Sequence, residues 1–421
     1  MSLLKAESLQ IFQIKEFRLF VMARFFLTLS IQMQFATIAL QVYHEYSNKS
    51  EFMLGMIGLT EAVPAIITAL YSGYISDHYP RKRILVLGIM ALLIAAVFLY
   101  FNSEPMFAWF KDFGVFALFT VVFLFGIIRA FLGACMHPFM SQLVPRNFYT
   151  HSATWNSTAW HVGAILGPVA AGIIYGFNNG YHANWCHLTE VFLFALALFF
   201  ILLIRHKGAP GNTGPKEPIM QSMRMGLKFV FTHKLILSAL SLDLFAVLLG
   251  GAVAMLPSFT DKVLHLGPQA YGWLRTAPAI GAVFMALIMA VWPPSKRAGK
   301  AMLWSVAAFG VFTILFALST TFWMAFIMLF LTGAFDNVSV VVRHSILQLS
   351  TPDNMRGRVS AINNIFIGSS NEIGAFESGT TAKLFGLVPS IVLGGFLTLG
   401  IVATIGKRNK ELNDLDLSRL Q

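Results

Sequence analysis

The stretch Gly73-Tyr-Ile-Ser-Asp77-His-Tyr-Pro-Arg81-Lys82-Arg83 decides how the rest of the chain is read. One apolar run, 52–76, leads into it and another, 84–101, leads out. Each has the length of a membrane-crossing helix, which needs about 20 predominantly apolar residues. Three consecutive cations between two such runs are what a short loop on the cytoplasmic side of a membrane carries. Working outward from this loop finds ten more runs. The first half of the chain holds 17–43, 52–76, 84–101, 113–141, 151–178 and 187–205. The second half holds 235–258, 269–292, 301–319, 322–349, 358–383 and 387–406. No alternation of period two dominates, so helices are expected rather than the strands of a barrel.

Composition points the same way. Of 421 residues, 57% are hydrophobic and only 12% charged, where a soluble domain carries about 25% charged residues. This excludes a soluble globular domain, a disordered chain and a nucleic-acid-binding module. Two cysteines support no disulfide framework. Cys135 falls in an apolar run and Cys186 in a loop, so no bridge and no metal-ligand spacing is expected. The first run is too long for a cleavable signal and lacks a small-residue cleavage site.

The net charge of +11 is explained by topology. With the N-terminus in the cytoplasm, 23 of the 30 lysines and arginines fall in inside segments, Arg343 counted among them, and only Lys49, Lys111, Lys262 and Lys383 fall outside. Arg24, Arg129 and Arg275 lie in or near helices. Such a bias sets both termini inside and requires no nucleic-acid partner. The longest interhelical stretch, 206–233, begins with Gly208, Pro210, Gly211, Gly214, Pro215 and Pro218 and reads as a flexible linker. Met220 to Phe231 then fits a short amphipathic surface helix. The expected domains are therefore an N-terminal six-helix bundle (1–205), a cytoplasmic linker (206–233) and a C-terminal six-helix bundle (234–421). Such paired bundles place a site at their interface, near the bilayer midplane.

The loop 73–83, a Gly, an Asp four residues on and then a basic run, resembles the loop signature of the major facilitator superfamily. Pro80 stands where the superfamily often has Gly. Gly73 would permit close helix packing, and Asp77 would accept hydrogen bonds from a neighbouring helix and pair with Arg81. With Lys82 and Arg83 they form the expected cytoplasmic gate. The loop after the eighth run, Pro293 to Lys300, lacks the Gly and Asp. Arg129-Ala-Phe-Leu-Gly133 resembles the superfamily's buried-arginine motif of the fourth helix. Gly163-Ala-Ile-Leu-Gly167-Pro168-Val-Ala-Ala171-Gly172 resembles its exporter motif of the fifth helix, with Ala171 at a usual Gly. Phe17-Arg18-Leu-Phe with Arg24, Gln32-Met-Gln34, Leu242-Asp243-Leu-Phe, Leu256-Pro257, Arg356-Gly357-Arg358-Val359, Asn371-Glu372 and Glu377-Ser-Gly379 are similar to the bacterial branch that includes enterobactin exporters and macrolide efflux proteins.

That resemblance implies an all-α polytopic membrane protein, twelve transmembrane helices in two pseudo-symmetric six-helix bundles, with helices one, four, seven and ten lining a central cavity. The acids that stand out inside the runs are Glu61, Asp243, Asp336, Glu372 and Glu377. Ionisable groups at membrane depth are expensive and functional by default. Asp243 and Glu372 are the expected proton carriers, with Arg129 as modulator. Further cavity candidates are Arg24, Gln32, Gln34, Asn156, Trp160, Asp336, Asn371 and Glu377. Asp336 and Arg343, seven residues apart on one helix face, read as a structural pair. Glu61, ahead of Pro64, is open in role. His137 and His161 have no ligand set around them, so no metal is expected. Phe35, Phe245 and Trp273 suit a polyaromatic pocket for bulky amphipathic compounds.

No His-Glu-x-x-His, Gly-x-Ser-x-Gly or phosphate-binding glycine loop is present in the sequence, which argues against an intramembrane enzyme or an ATP-driven pump. A receptor or scaffold would not need charges inside its helices. The expectation is a proton-coupled exporter of a small amphipathic molecule, a siderophore or drug-like compound, in a bacterial inner membrane. It needs no cofactor, touches membrane lipids and acts as a monomer, and sodium or another coupling ion is the alternative to the proton. Uptake and lysophospholipid flipping remain the alternatives.

Overall fold

The computed structural model describes residues 10–46, 50–104, 106, 113–206, 208, 219–292, 294, 296–352 and 355–417. Among them there is no strand. Six long helices form the first half: α1 (Lys15–Gln41), α2 (Glu51–His78), α3 (Arg81–Ser103), α4 (Gly114–Gln142), α5 (Tyr149–Tyr175) and α6 (Ala183–Leu203). A shorter helix, α7, spans Ile219–Thr232. The second half contains α8 (Lys234–Leu249), α9 (Leu256–Lys262), α10 (Pro268–Val291), α11 (Ala298–Ala317), α12 (Phe322–Ser350), α13 (Arg356–Phe385) and α14 (Leu387–Arg408), then a single turn, α15 (Lys410–Asn413).

Eleven helical segments among the described residues are long and apolar enough to cross a membrane. The helix that falls short is α13. At 30 residues it has ample length, but Asn363, Asn364, Asn371, Glu372 and Glu377 dilute its apolar character. The seventh run is not one helix. α8 stops at Gly250, a 3-10 turn covers Ala252–Met255, and Pro257 opens α9. Two adjacent glycines destabilise helix locally, and Pro257, which has no N–H to donate, falls in the first turn of α9 where that loss costs least, so the break follows from Gly250-Gly251 and Pro257. α1 also ends irregularly, passing into a π-type turn over Val42–Tyr46.

The chain forms two compact units. Among the described residues, the first comprises those within 1–46, 63–215 and 267–272, and the second those within 47–62, 216–266 and 273–421. In the first unit α1 packs along α5 and α6, and α3 along α4 and α6. Its core includes Phe17, Phe20, Leu85, Leu92, Phe139 and Phe194. In the second unit α11 packs on α12 and α14, and α8 on α13. Its core includes Ile236, Leu240, Met302, Val342, Ile346 and Val359.

Helices approach closely where glycines remove the side chain, the rule in membrane interiors. On α5, a Cβ at Gly163 would lie 3.0 Å from the Leu29 backbone, and one at Gly167 would lie 2.7 Å from the Gln32 Cβ and 2.9 Å from the Leu29 carbonyl. Gly172 meets Gly272 in the same way, at 3.0 Å. In the second unit Gly55 lies against Gly379, and Gly281 and Gly333 let α10 and α12 cross backbone to backbone. Gly73 is different. No described atom lies within 4 Å of a Cβ placed there, so the expected close packing at Gly73 is corrected. α2 presents that residue to open space.

Candidate functional site

Charged and polar side chains sit at four places inside the helices, each within one unit, and three of them hold residues singled out in the sequence. The first is an ion pair. Asp243 in α8 and Arg343 in α12 join through Oδ2 and Nη1, with relative exposures of 8% and 2% for the side chains. This corrects two sequence readings. Arg343 is no loop charge, because α12 runs seven residues beyond it. Its partner is not Asp336 either. Seven residues along a helix rise about 10.5 Å, beyond direct reach, whereas Asp243 comes from a facing helix. Asp336 stays on α12, half-buried.

The second place is where the start of α2 meets α9 and α13. Glu51 accepts from Lys262 Nζ at 2.5 Å and from Ser258 Oγ at 2.7 Å. The Lys383 ammonium stands over the Phe52 ring at 4.8 Å. About two turns further, Gly58 lies under the Glu372 carbonyl and against Ala375. Glu372 and Glu61 are both buried here. Glu377 is half-buried and Asn371 is exposed, its amide donating to the Ile367 carbonyl at 2.9 Å.

The third place is in the first unit, on α1, α4 and α5. Asn156 and Gln34 are buried, Arg24, Gln32 and Arg129 are half-buried, and Trp160 is exposed. Among the described residues, Arg24 Nε, Gln34 Nε2, Asn156 Oδ1 and His161 Nδ1 are enclosed without a hydrogen-bond partner. Buried polar atoms are normally satisfied, and these four lie on two helices, α1 and α5, that pack along each other. Arg129 belongs to this unit, whereas Asp243 and Glu372 belong to the other. Of the aromatic trio, Phe35 is part of the first unit's core, edge-on to Phe125 at 4.5 Å. Phe245 and Trp273 are exposed side chains of the second unit.

In the basic loop, Lys82 reaches the end of α6 and donates to the carbonyls of Leu202, at 3.0 Å, and of Ile204. A cation there caps orphan carbonyls and complements the helix dipole. The Arg81 side chain is buried and its backbone N–H donates to Gly208 O at 3.3 Å. Arg83 is exposed. The Asp77 side chain lies outside the described residues, as do Pro293 and Ser295.

Sequence reasoning missed one cluster. Glu190 and His187 of α6 are fully buried and reach Gln41, Glu45, Ser103 and Tyr175 through hydrogen bonds. Glu45 falls just past one apolar run and Glu190 at the start of another, where charges read as interfacial. Cys186, expected in a loop, is in the first turn of α6 and buried. Cys135 is buried as well, and no disulfide joins the two.

An all-helical polytopic chain that buries an ion pair between its spanning segments, breaks one spanning helix and crosses others on glycines is built as a secondary transporter. This chain belongs to the transmembrane secretion effector family of the major facilitator superfamily, which it matches over residues 6–419. It is 23% identical over 383 residues to the multidrug efflux pump Tap of Mycolicibacterium fortuitum, covering 87% of this chain and 90% of the pump. It is 22% identical to the staphyloferrin A transporter of Staphylococcus aureus over 85% of this chain and 88% of that one. To the enterobactin exporter EntS of Shigella flexneri it is 21% identical over 92% and 90%. The fold matches crystal structures of the nucleoside transporter NupG, with a TM-score of 0.75 and 12% identity over 93% of this chain and 99% of that one, and of a D-xylose-proton symporter, with 0.71 and 14% over 96% and 99%. The chain is an integral membrane protein that moves a small molecule and is not an enzyme.

Proposed function

We propose that the protein is a proton-coupled exporter of a small amphipathic compound, siderophore or drug-like, in a bacterial inner membrane. Both termini lie in the cytoplasm, and the protein acts as a monomer. The observation that carries the coupling is the buried Asp243–Arg343 pair. An ion pair inside a spanning segment is a two-state device. Protonating Asp243 removes the negative partner and leaves Arg343 as an uncompensated charge, which is costly in a low-dielectric site. A conformation that gives Arg343 water or an anionic substrate group is then favoured. Glu372 serves as the second carrier and Arg129 as modulator from the other unit. The names of the relatives support export, as does the glycine-lined face of α5.

In this reading the halves 1–205 and 234–421 alternate about the linker 206–233. The loop bearing Gly73, Asp77, Arg81, Lys82 and Arg83 closes the cytoplasmic side, and Arg24, Gln34 and Asn156 offer polar contacts to the cargo. Coupling at Asp243 needs only that a proton be exchanged between carboxylate and carboxylic acid as access changes sides.

The test is accumulation of fluorescent dyes, macrolides and catechol siderophores in a bacterium stripped of its own pumps. Expression should lower accumulation of one class, a protonophore should abolish the effect, and Asp243→Asn should lose it. Wild-type export by Asp243→Asn would remove Asp243 from the coupling. No change across the panel would count against export, and labelled-lipid movement in liposomes would then be measured.

A further inference from the structure

The cluster at the end of α1 holds buried ionisable groups that the coupling at Asp243 does not use, and the hydrogen bonds around them fix where a proton can sit. Gln41 determines where it is. Its amide nitrogen donates to Ser103 Oγ at 2.9 Å and to Glu45 Oε2 at 3.2 Å. The Tyr175 hydroxyl donates to the other oxygen of Glu45 at 2.8 Å. Glu45 is thus an acceptor on both sides, and the Gln41 carbonyl is left facing His187 Nε2 at 3.1 Å. Turning the amide over would set its carbonyl against the carboxylate. A carbonyl only accepts, so His187 Nε2 carries a hydrogen.

The other ring nitrogen, Nδ1, lies 2.9 Å from Glu190 Oε2. Two descriptions satisfy that contact. If Nδ1 also carries a hydrogen, His187 is an imidazolium facing a carboxylate. If Nδ1 is bare, it accepts from Glu190 as a carboxylic acid. Either way the pair holds one proton more than a neutral imidazole beside a carboxylate. The site is dry, with His187 and Glu190 both at 0% exposure. Glu190 Oε1 has no hydrogen-bond partner among the described residues, and a full carboxylate charge so placed is costly. The irregular turn that carries Glu45 is a π-type segment, a feature that recurs at functional sites.

We infer that the His187–Glu190 pair, oriented by Gln41 and Glu45, is a proton-binding site in the first unit, separate from Asp243 and Glu372. Its surroundings are His44 and Tyr46 on the π turn, Tyr175 on α5, Tyr181 and Cys186 around the start of α6, and Glu104 after α3, which accepts from Asn184 at 3.0 Å. Releasing the proton leaves two carboxylates, Glu45 and Glu190, bridged by Gln41 and the His187 ring, and loosens the junction of α1, α5 and α6. Under the orientation proposed above, which this inference adopts, the cluster lies at the external end of the bundle and loads from the outside.

The experiment is solid-state or solution NMR of the full-length protein labelled with 15N-histidine, at pH 7.5, combined with infrared spectroscopy. His187 is assigned as the resonance missing in His187→Gln, or in His187→Asn should the first variant not fold. The site predicts both ring nitrogens bearing hydrogen, or a bare Nδ1 together with a carboxylic C=O band that Glu190→Gln removes. A bare ring nitrogen with no such band overturns the inference. The readout needs no transport and should be the same in Asp243→Asn. Failure of coupling at Asp243 would therefore leave this result standing, and failure here would leave that coupling standing.

Discussion

Asp243 and Arg343 are ordinary residue types made expensive by their surroundings. Removing one member of a buried pair leaves the other uncompensated, at a cost of about 3–5 kcal/mol. Arg343→Met should therefore lower the thermal stability of the purified protein markedly. Asp243→Asn should cost less, since its amide still accepts from the guanidinium. The double variant should regain most of the loss in a double-mutant cycle, and simple additivity of the two losses would mean the pair is not the source. Each charge was legible in the sequence because it stands out in an apolar run. Their pairing was not, because spacing along one helix favoured Asp336 and nothing in a linear pattern says which helix faces which. Glu190 and His187 were hidden for a related reason. Near the end of a run a charge reads as wet, and only packing reveals it as enclosed.

At the scale of the element, α5 and α6 carry the clearest expectations. Gly167→Val would drive branched carbons into the Leu29 carbonyl and Gln32 of α1. The expected outcome is loss of a monodisperse peak in fluorescence-detected chromatography. Gly133→Ala, where no described atom lies within 4 Å, should behave as wild type. Equal behaviour of the two would mean that the glycine face of α5 does not set the α1 crossing. Lys82→Met removes the donor to the last carbonyls of α6 and should cost about 1–2 kcal/mol, read as a drop in melting temperature that Arg83→Ala does not share. Apolar length and the cation-rich loop made the helices legible. The break at Gly250-Gly251 was written in the sequence too, but a continuous apolar run masks a backbone interruption. The polar α13 was recognisable only because its Asn and Glu residues fall between long apolar neighbours.

At the scale of the whole molecule, the family and the helical design make it a transporter, and the proposed coupling makes a statement about direction and energy. An exporter driven by protons moving inward should work in inverted membrane vesicles when their lumen is acidified. Mutating Asp243 should then separate cargo movement from the gradient without removing cargo binding. The most direct measurement is uptake into such vesicles of whichever dye, macrolide or catechol siderophore the cell assay identifies, with the lumen acidified and again with the gradient collapsed by a protonophore. The account predicts uptake that needs the gradient in the wild type and is insensitive to it in Asp243→Asn. Wild-type uptake at the same rate with and without the gradient would contradict it.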